Sequence, residues 1–210
     1  MLYNLRIEVL EANFSWNGIL FLLLGCSVLS VAIFIERYIV LQRSEIDTNR
    51  FLLGIRDFLQ EQNVVAAIAF CEQNPSTVAQ IVKTGLRKSD KNRSLAESAM
   101  ETSGALEIAR LEKNAKILSV IAHTAPLIGL LGTVLGFMQA FAEMRTSGLM
   151  DISTTQIGEA MEYALVTTAA GLAVAIPTGI AYNYIVSRIE HLVLEMRVSG
   201  EEILDLLFEV

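Results

Sequence analysis

Ile117-Leu-Ser-Val-Ile-Ala-His-Thr-Ala-Pro-Leu-Ile-Gly-Leu-Leu-Gly-Thr-Val-Leu-Gly-Phe-Met-Gln-Ala-Phe-Ala142 is a run of 26 residues without one Asp, Glu, Lys or Arg. It exceeds the roughly 20 helical residues that cross a ~30 Å hydrocarbon core. Two further runs of the same kind lie on either side, 24 residues from Ala12 to Ile35 and 25 from Tyr163 to Ser187. In the chain of 210 residues, 53% are hydrophobic and 19% charged, with mean hydropathy +0.48. That balance does not suit a soluble domain. The reading is an all-α integral membrane protein with three transmembrane helices at 16–36, 118–141 and 157–186, since a helix satisfies its own backbone in lipid. The connecting segments are then 1–15, 37–117, 142–156 and 187–210.

Several function classes drop out on composition. A formal charge of -7 and a pI near 4.9 give no basic stripe to neutralise phosphates, so no nucleic acid is expected as a partner. Cys26 falls within an apolar run and Cys71 in the polar middle, so the two are read as unpaired packing residues. Neither a metal spacing, a phosphate loop nor a nucleophile with its base is present, and the chain is expected to be no enzyme and to hold no cofactor or metal. The first apolar run has an acidic-leaning leader, Arg6, Glu8 and Glu11, and ends at Ile33-Phe-Ile-Glu-Arg37 with no small-residue cleavage site. It is read as a retained span.

Positive charges set the expected topology. Of 16 Lys and Arg, only Arg6 precedes the first span and only Arg145 lies between the second and third. Twelve lie between Arg37 and Lys116, and Arg188 and Arg197 follow the third span. The positive-inside rule therefore puts the middle segment and the C-terminus in the cytoplasm and the N-terminus outside, which in a bacterium is the periplasm. Arg37, Arg43, Lys113 and Lys116 carry most weight because they adjoin span ends.

The middle segment reads as helical. Phe51, Ile55, Phe58 and Leu59, then Val64, Val65, Ile68 and Cys71, recur at helical spacing and stop at Asn74-Pro75, which predicts a helical hairpin. A further helix is predicted from about Ser76 to Lys88, breaking in Ser89-Asp-Lys-Asn92. Ser94-Leu-Ala-Glu97 has the form of a capping box. With no proline before Pro126, helix is expected to run unbroken from Ser94 to about Met144, making the second span project as a stalk. The third span is expected to do the same, through Ile189, Leu192, Val193 and Met196, and Glu201 to Val210 to form a helix packed on a neighbour.

The membrane runs carry a second pattern. Gly129, Gly132 and Gly136 are spaced so that another helix can approach closely. Pro126 deprives the Ala122 carbonyl of its donor, with Thr124 as a candidate substitute. The third span has Thr167-Thr-Ala-Ala-Gly171 and Pro177, again rich in small residues. Thr133, Thr167 and Thr168 lie at comparable depth, either bonding their own helices or lining a polar path. His123 is the one Asp, Glu, His, Lys or Arg that lies deeper than the ends of a span, and it is read as a backbone-bonded interfacial histidine. Glu159 and Glu162, three apart at the mouth of span three, are either solvated helix-start acids or a cation-attracting pair.

Thr124 to Met138, then Ala164-Leu-Val-Thr-Thr-Ala-Ala-Gly-Leu-Ala-Val-Ala-Ile-Pro177 with Tyr182-Asn183, and Ile35-Glu-Arg-Tyr38 closing the first span resemble the MotA/TolQ/ExbB proton channel family, in its ExbB and TolQ branch. The resemblance covers all three spans and the loop plan. It implies a homopentamer in the bacterial inner membrane whose second and third spans line a pore. Two copies of an ExbD- or TolR-like single-span protein, whose helix carries an aspartate, would occupy that pore, and a TonB- or TolA-like protein would lie beyond. Such a complex would turn proton motive force into work on an envelope system. By the resemblance Thr133 and Thr168 are the pore-facing threonines, with Thr167 beside them. The family's glutamate before Ala-Leu is replaced by Tyr163; Glu162 is turned away by one residue, about 100°, and Glu159, one turn further out, is the candidate substitute. The rival expectation is a non-conducting scaffold that holds a partner complex together.

Overall fold

The computed structural model describes residues 2–90, 92–147 and 154–208, with side chains described from Asn17 onward and not around the 142–156 connection, whose residues 148–153 lie outside it. Every element among the described residues is an α-helix. In chain order they are α1 (Leu2–Ser44), α2 (Thr48–Gln60), α3 (Val64–Gln73), α4 (Thr77–Leu86), α5 (Arg93–Glu112), α6 (Ala115–Ser147) and α7 (Thr154–Phe208). Three helices, α1, α6 and α7, are long and apolar enough to span a membrane, with mean hydropathies of 2.7, 1.8 and 1.7 in their most apolar windows.

The chain divides into two compact units, Met1–Phe34 with Lys116–Asn183, and Ile35–Ala115 with Tyr184–Val210. In the first, Ile19 and Leu23 of α1 are buried with Ala125 of α6 and Ala175 of α7. Outside this narrow contact the helices are covered with exposed Phe21, Leu22, Leu127, Leu130, Leu131, Phe137, Leu165 and Ile176. Apolar side chains facing outward on such long helices fit a lipid solvent.

In the second unit, Phe51, Leu52, Ile55, Val78, Ile81, Val82, Leu86, Met100, Met196 and Ile203 form one large-residue core. Its helices begin where polar side chains supply an acceptor for a free amide. Asp47 accepts from Arg50 N, Asn63 from Ala66 N, Ser76 from Ala79 N and Asn92 from Leu95 N, at 2.9–3.3 Å. Gln62, at φ 56°, makes the left-handed turn that separates α2 from α3. This is the predicted hairpin, and α4 follows as expected with Ser76 as its cap.

Polar ties bind α7 to this unit at intervals of one heptad. Arg188 pairs with Glu45 at 2.7 Å, Glu195 accepts from Thr48 Oγ1 at 3.2 Å, and Glu202 pairs with Arg56 at 3.4 Å. A last tie joins Arg93 and Asp205 at 2.5 Å. The helix runs unbroken through Pro177 to Phe208, as the expected continuation of the third span requires.

The second span departs from expectation in three ways. The predicted continuous helix from Ser94 is broken between α5 and α6, where Lys113 has ψ 134° and Asn114 sits in the left-handed region at φ 63°. Asparagine tolerates that conformation better than other non-glycine residues, so a break needs no proline. The break is held from outside: Arg37, 5% exposed, donates to the Arg110 carbonyl at 3.3 Å, and Asn114 Nδ2 donates to Glu36 at 3.2 Å. Secondly, the capping-box reading fails, because Asn92 caps α5 and Ser94 lies inside the helix. Thirdly, Thr124 does not serve the Ala122 carbonyl; its hydroxyl donates to Val120 O at 2.8 Å, four residues back on its own helix.

Candidate functional site

The second and third apolar helices meet along a seam of small residues. Among the buried positions are Ala125, Gly129, Gly132, Gly136 and Ala140 on α6, and Ala160, Ala164, Thr167, Gly171 and Ala175 on α7. These positions recur every three or four residues, so each set forms one stripe of its helix. The pairing is antiparallel, with Gly179 near Ala122, Gly171 near Ala125 and Gly129, and Gly132 against Thr167.

Glycine is needed here for approach. A methyl group on Gly171 would stand 2.6 Å from the Ala125 carbonyl oxygen and 3.1 Å from Gly129 Cα. One on Gly129 would stand 2.9 Å from the Thr167 carbonyl oxygen, and one on Gly132 would collide with the Thr167 hydroxyl. Close backbone approach replaces the hydrophobic drive that lipid cannot provide between helices.

That approach brings hydroxyls together. Thr133 of α6 and Thr168 of α7 hydrogen-bond to each other through their Oγ1 atoms, either able to donate. Thr168 also donates to the Gly129 carbonyl at 3.1 Å, while Thr133 has the Gly129 carbonyl at 3.3 Å and the Ala164 carbonyl at 3.4 Å as longer alternatives. Both threonines are half-buried in the single chain. Two hydroxyl protons therefore serve more acceptor directions than they can fill at once, and each oxygen keeps lone pairs for an outside donor. Such a pair can accept and pass on a hydrogen bond without carrying charge.

The other sequence-predicted residues take different places. Thr167 is fully buried, donates to the Ala164 carbonyl at 2.8 Å and fills the notch left by Gly132. Pro126 and Pro177 lie inside continuous helices. Glu159, Glu162 and Tyr163 are all exposed within the chain. Glu159 precedes Thr168 by nine residues, which at about 100° each puts it on the opposite side of α7. His123 is backbone-bonded as expected, with Nδ1 2.7 Å from the Ser119 carbonyl. Cys26 and Cys71 are both free, and burial pushes the Cys71 thiol up to about 12, which fits a packing role. Among the described residues no group of His, Cys, Asp or Glu is arranged to hold a metal.

Sequence reasoning missed the carbonyls of Gly129 and Ala164, because backbone acceptors leave no trace in residue identity. It also counted Arg37 as an interfacial charge, whereas the side chain is buried and bonded to a helix end. The left-handed propensity of Asn114 was the available signal for that arrangement.

Fold and site together define a helical membrane protein whose second and third spans carry a hydroxyl pair across a glycine seam. The chain belongs to the MotA/TolQ/ExbB proton channel family, whose sequence pattern matches residues 73–198. It is 32% identical over 195 residues to the biopolymer transport protein ExbB of Neisseria meningitidis, covering 87% of each chain. Over 202 residues it is 29% identical to the Tol-Pal system protein TolQ of Haemophilus influenzae, covering 86% of this chain and 83% of that one. A 73-residue stretch is 58% identical to the biopolymer transport protein ExbB of Helicobacter pylori and spans 35% of this chain and 49% of that protein. These relatives set it in the ExbB/TolQ branch.

Proposed function

We propose that the chain is the pore-forming subunit of a proton-driven motor in a bacterial inner membrane. Five copies form a ring, α6 and α7 face its centre, and the N-terminus is periplasmic and the C-terminus cytoplasmic. The ring encloses two copies of an ExbD- or TolR-like helix whose aspartate takes and releases the proton. Movement of that helix does mechanical work on an envelope system, through a TonB- or TolA-like protein.

The observation that carries this reading is the Thr133–Thr168 hydroxyl pair, set in spans whose charge-free runs contain no carboxylate. A channel wall of hydroxyls can solvate a moving proton but cannot hold it, so a titratable group has to come from elsewhere. Family membership agrees with that division of labour. Glu159 lies near the start of α7, on the side opposite Thr168 and so off the Thr133–Thr168 path, and we assign it the attraction of cations toward that end of the helix, in place of the glutamate that Tyr163 displaces.

Thr133→Val with Thr168→Val tests the reading, because valine keeps the shape and removes both hydroxyls. Proton flux into proteoliposomes holding the chain and its partner should vanish while the complex still assembles. Wild-type flux in the double variant would overturn the pore role, and an intact complex that never conducts, even unmutated, would support a scaffold instead.

A further inference from the structure

The hydroxyl pair leaves His123 unexplained. Its Nδ1 lies 2.7 Å from the Ser119 carbonyl oxygen. A carbonyl oxygen only accepts, so Nδ1 carries a proton and Nε2 of the neutral ring keeps its lone pair. The imidazole is exposed within the chain, and among the described residues nothing engages Nε2. Its direction follows from where α1 lies. Ile19 and Leu23 of α1 cover one flank of the α6–α7 seam, packing on Ile128 of α6 and Val174 of α7. Thr133 and His123 are each turned by about 140° from Ile128, one in each sense, and by about 80° from each other. Both therefore leave α6 on the flank that α1 does not cover, and Thr168, turned by about 120° from Val174, does the same on α7.

We propose that His123 is the proton-release group of the channel, its Nε2 taking up the proton that a partner acid gives off beside the hydroxyl pair and passing it to water at the cytoplasmic mouth. This inference rests on the proton-channel reading of the same site. Ten residues set His123 about 15 Å from Thr133 along α6, toward the end that joins the Lys- and Arg-rich middle segment. On the face between them lie the side chains of Pro126 and Leu130, which cannot solvate a proton. A bare charge among apolar groups is costly, whereas an imidazole can hold and release a proton near neutral pH. The step balances. The partner carboxylic acid gives its proton to pore water and becomes carboxylate; the hydronium so formed gives that proton to the Nε2 lone pair, leaving water and imidazolium; and Nε2–H gives it to cytoplasmic water, which restores the neutral ring. Nδ1–H stays on the Ser119 carbonyl throughout, so the ring returns to the same tautomer. The runs of α1 and α7 beside α6 hold no Asp, Glu, Lys, Arg or His, only Cys26 and the phenols Tyr163, Tyr182 and Tyr184, and the nearest charge on α6 is Lys116, seven residues back. No carboxylate of this chain in those runs competes for the proton.

The test uses the full chain with its partner in liposomes, with proton flux driven by a potassium diffusion potential. His123→Ala should lower the flux roughly tenfold, less than the ~10²–10⁴ of a positioned acid–base group because water remains a slower acceptor. Imidazole added to the vesicles should enter the space the ring has left and restore flux in His123→Ala, while leaving the wild type unchanged. His123→Gln fills that space with an amide that cannot titrate, and should lose flux without being rescued. Both variant complexes should elute with the wild type on size-exclusion chromatography. Wild-type flux in either variant would overturn the proposal. A loss in His123→Ala that imidazole does not restore would also overturn it, since the ring would then act by shape, as would rescue of His123→Gln or failure of both variants to assemble. Wild-type flux in the Thr133→Val, Thr168→Val double variant, with His123 in place, would instead remove the channel reading beneath it.

Discussion

The two units of this chain are held together by opposite means. In the first, α6 and α7 touch through glycine, alanine and threonine, and the large side chains such as Leu131 and Phe137 point away. In the second, the large side chains point inward, with Ile55, Val82 and Ile203 fully buried, and charged pairs such as Arg188–Glu45 and Lys83–Glu72 ring the outside. The difference follows from the solvent. Lipid gives leucine no reason to leave it, so helices in lipid gain only from close contact and hydrogen bonds. In water, burial of each large aliphatic side chain contributes about 1.5–3 kcal/mol, and size is what stabilises. The hydroxyl pair therefore falls where side chains are smallest, because there the two backbones come close enough for two threonines to hydrogen-bond across the seam.

Breaking the seam should have the largest effect, loss of the assembled complex. Gly129→Val would drive a branched side chain against the Thr167 carbonyl and Thr168 Cα, 2.9 and 3.1 Å from its first carbon. Overpacking against backbone should cost ~3 kcal/mol, the upper end for inserted side chains. Detergent-solubilised complex should be lost on size-exclusion chromatography, and full assembly would show that the seam is not the packing surface.

The next effect separates the two units directly. Ile55→Ala, at a position 0% exposed, should destabilise the second unit by about 2–5 kcal/mol through the cavity it leaves. Leu131→Ala removes similar bulk from a residue 52% exposed in the first unit, and should change stability within about 0.5 kcal/mol. Equal losses in a thermal melt of the two variants would refute the contrast in how the units are built.

The same contrast explains what could be read in advance. Spans and small-residue stripes were legible because lipid imposes length, absence of charge and Gly spacing on the sequence itself. Thr133 and Thr168 stood out as hydroxyls amid aliphatic residues, and they do meet. The role of Thr167 was not legible, since Thr167 and Thr168 are adjacent and only the helix rotation of about 100° assigns one to the seam and the other to the pair. Likewise, the α5–α6 break turns on Asn114 adopting φ 63°, which the long-range bonds of Arg37 and Glu36 support from 73 and 78 residues away. Local pattern cannot report such partners.

The smallest effect is a pH dependence that α4 should show and the glycine seam should not. Glu72 accepts from Lys83 at 2.7 Å and pairs with Arg87 at 3.4 Å, tying α3 to α4. The Lys83 ammonium, by its hydrogen bond and its charge, holds the Glu72 carboxyl below its ordinary value of 4.5. A carboxyl with a lowered folded-state value binds its proton less readily when folded than when unfolded. Its contribution is thus complete above about pH 4.5, and it fades as pH falls through the folded value. Glu72→Gln should mimic the acid end at every pH. Amide exchange in α4 should therefore be slightly faster in Glu72→Gln than in wild type at pH 7, with the gap closing on acidification. Gly129, Thr133, Thr167, Thr168 and Gly171 offer no group that titrates in this range, so exchange along that seam should show neither the gap nor its closure. A pH-independent gap in α4 would mean that the glutamine acts through shape, and that the charge of Glu72 contributes nothing to the second unit.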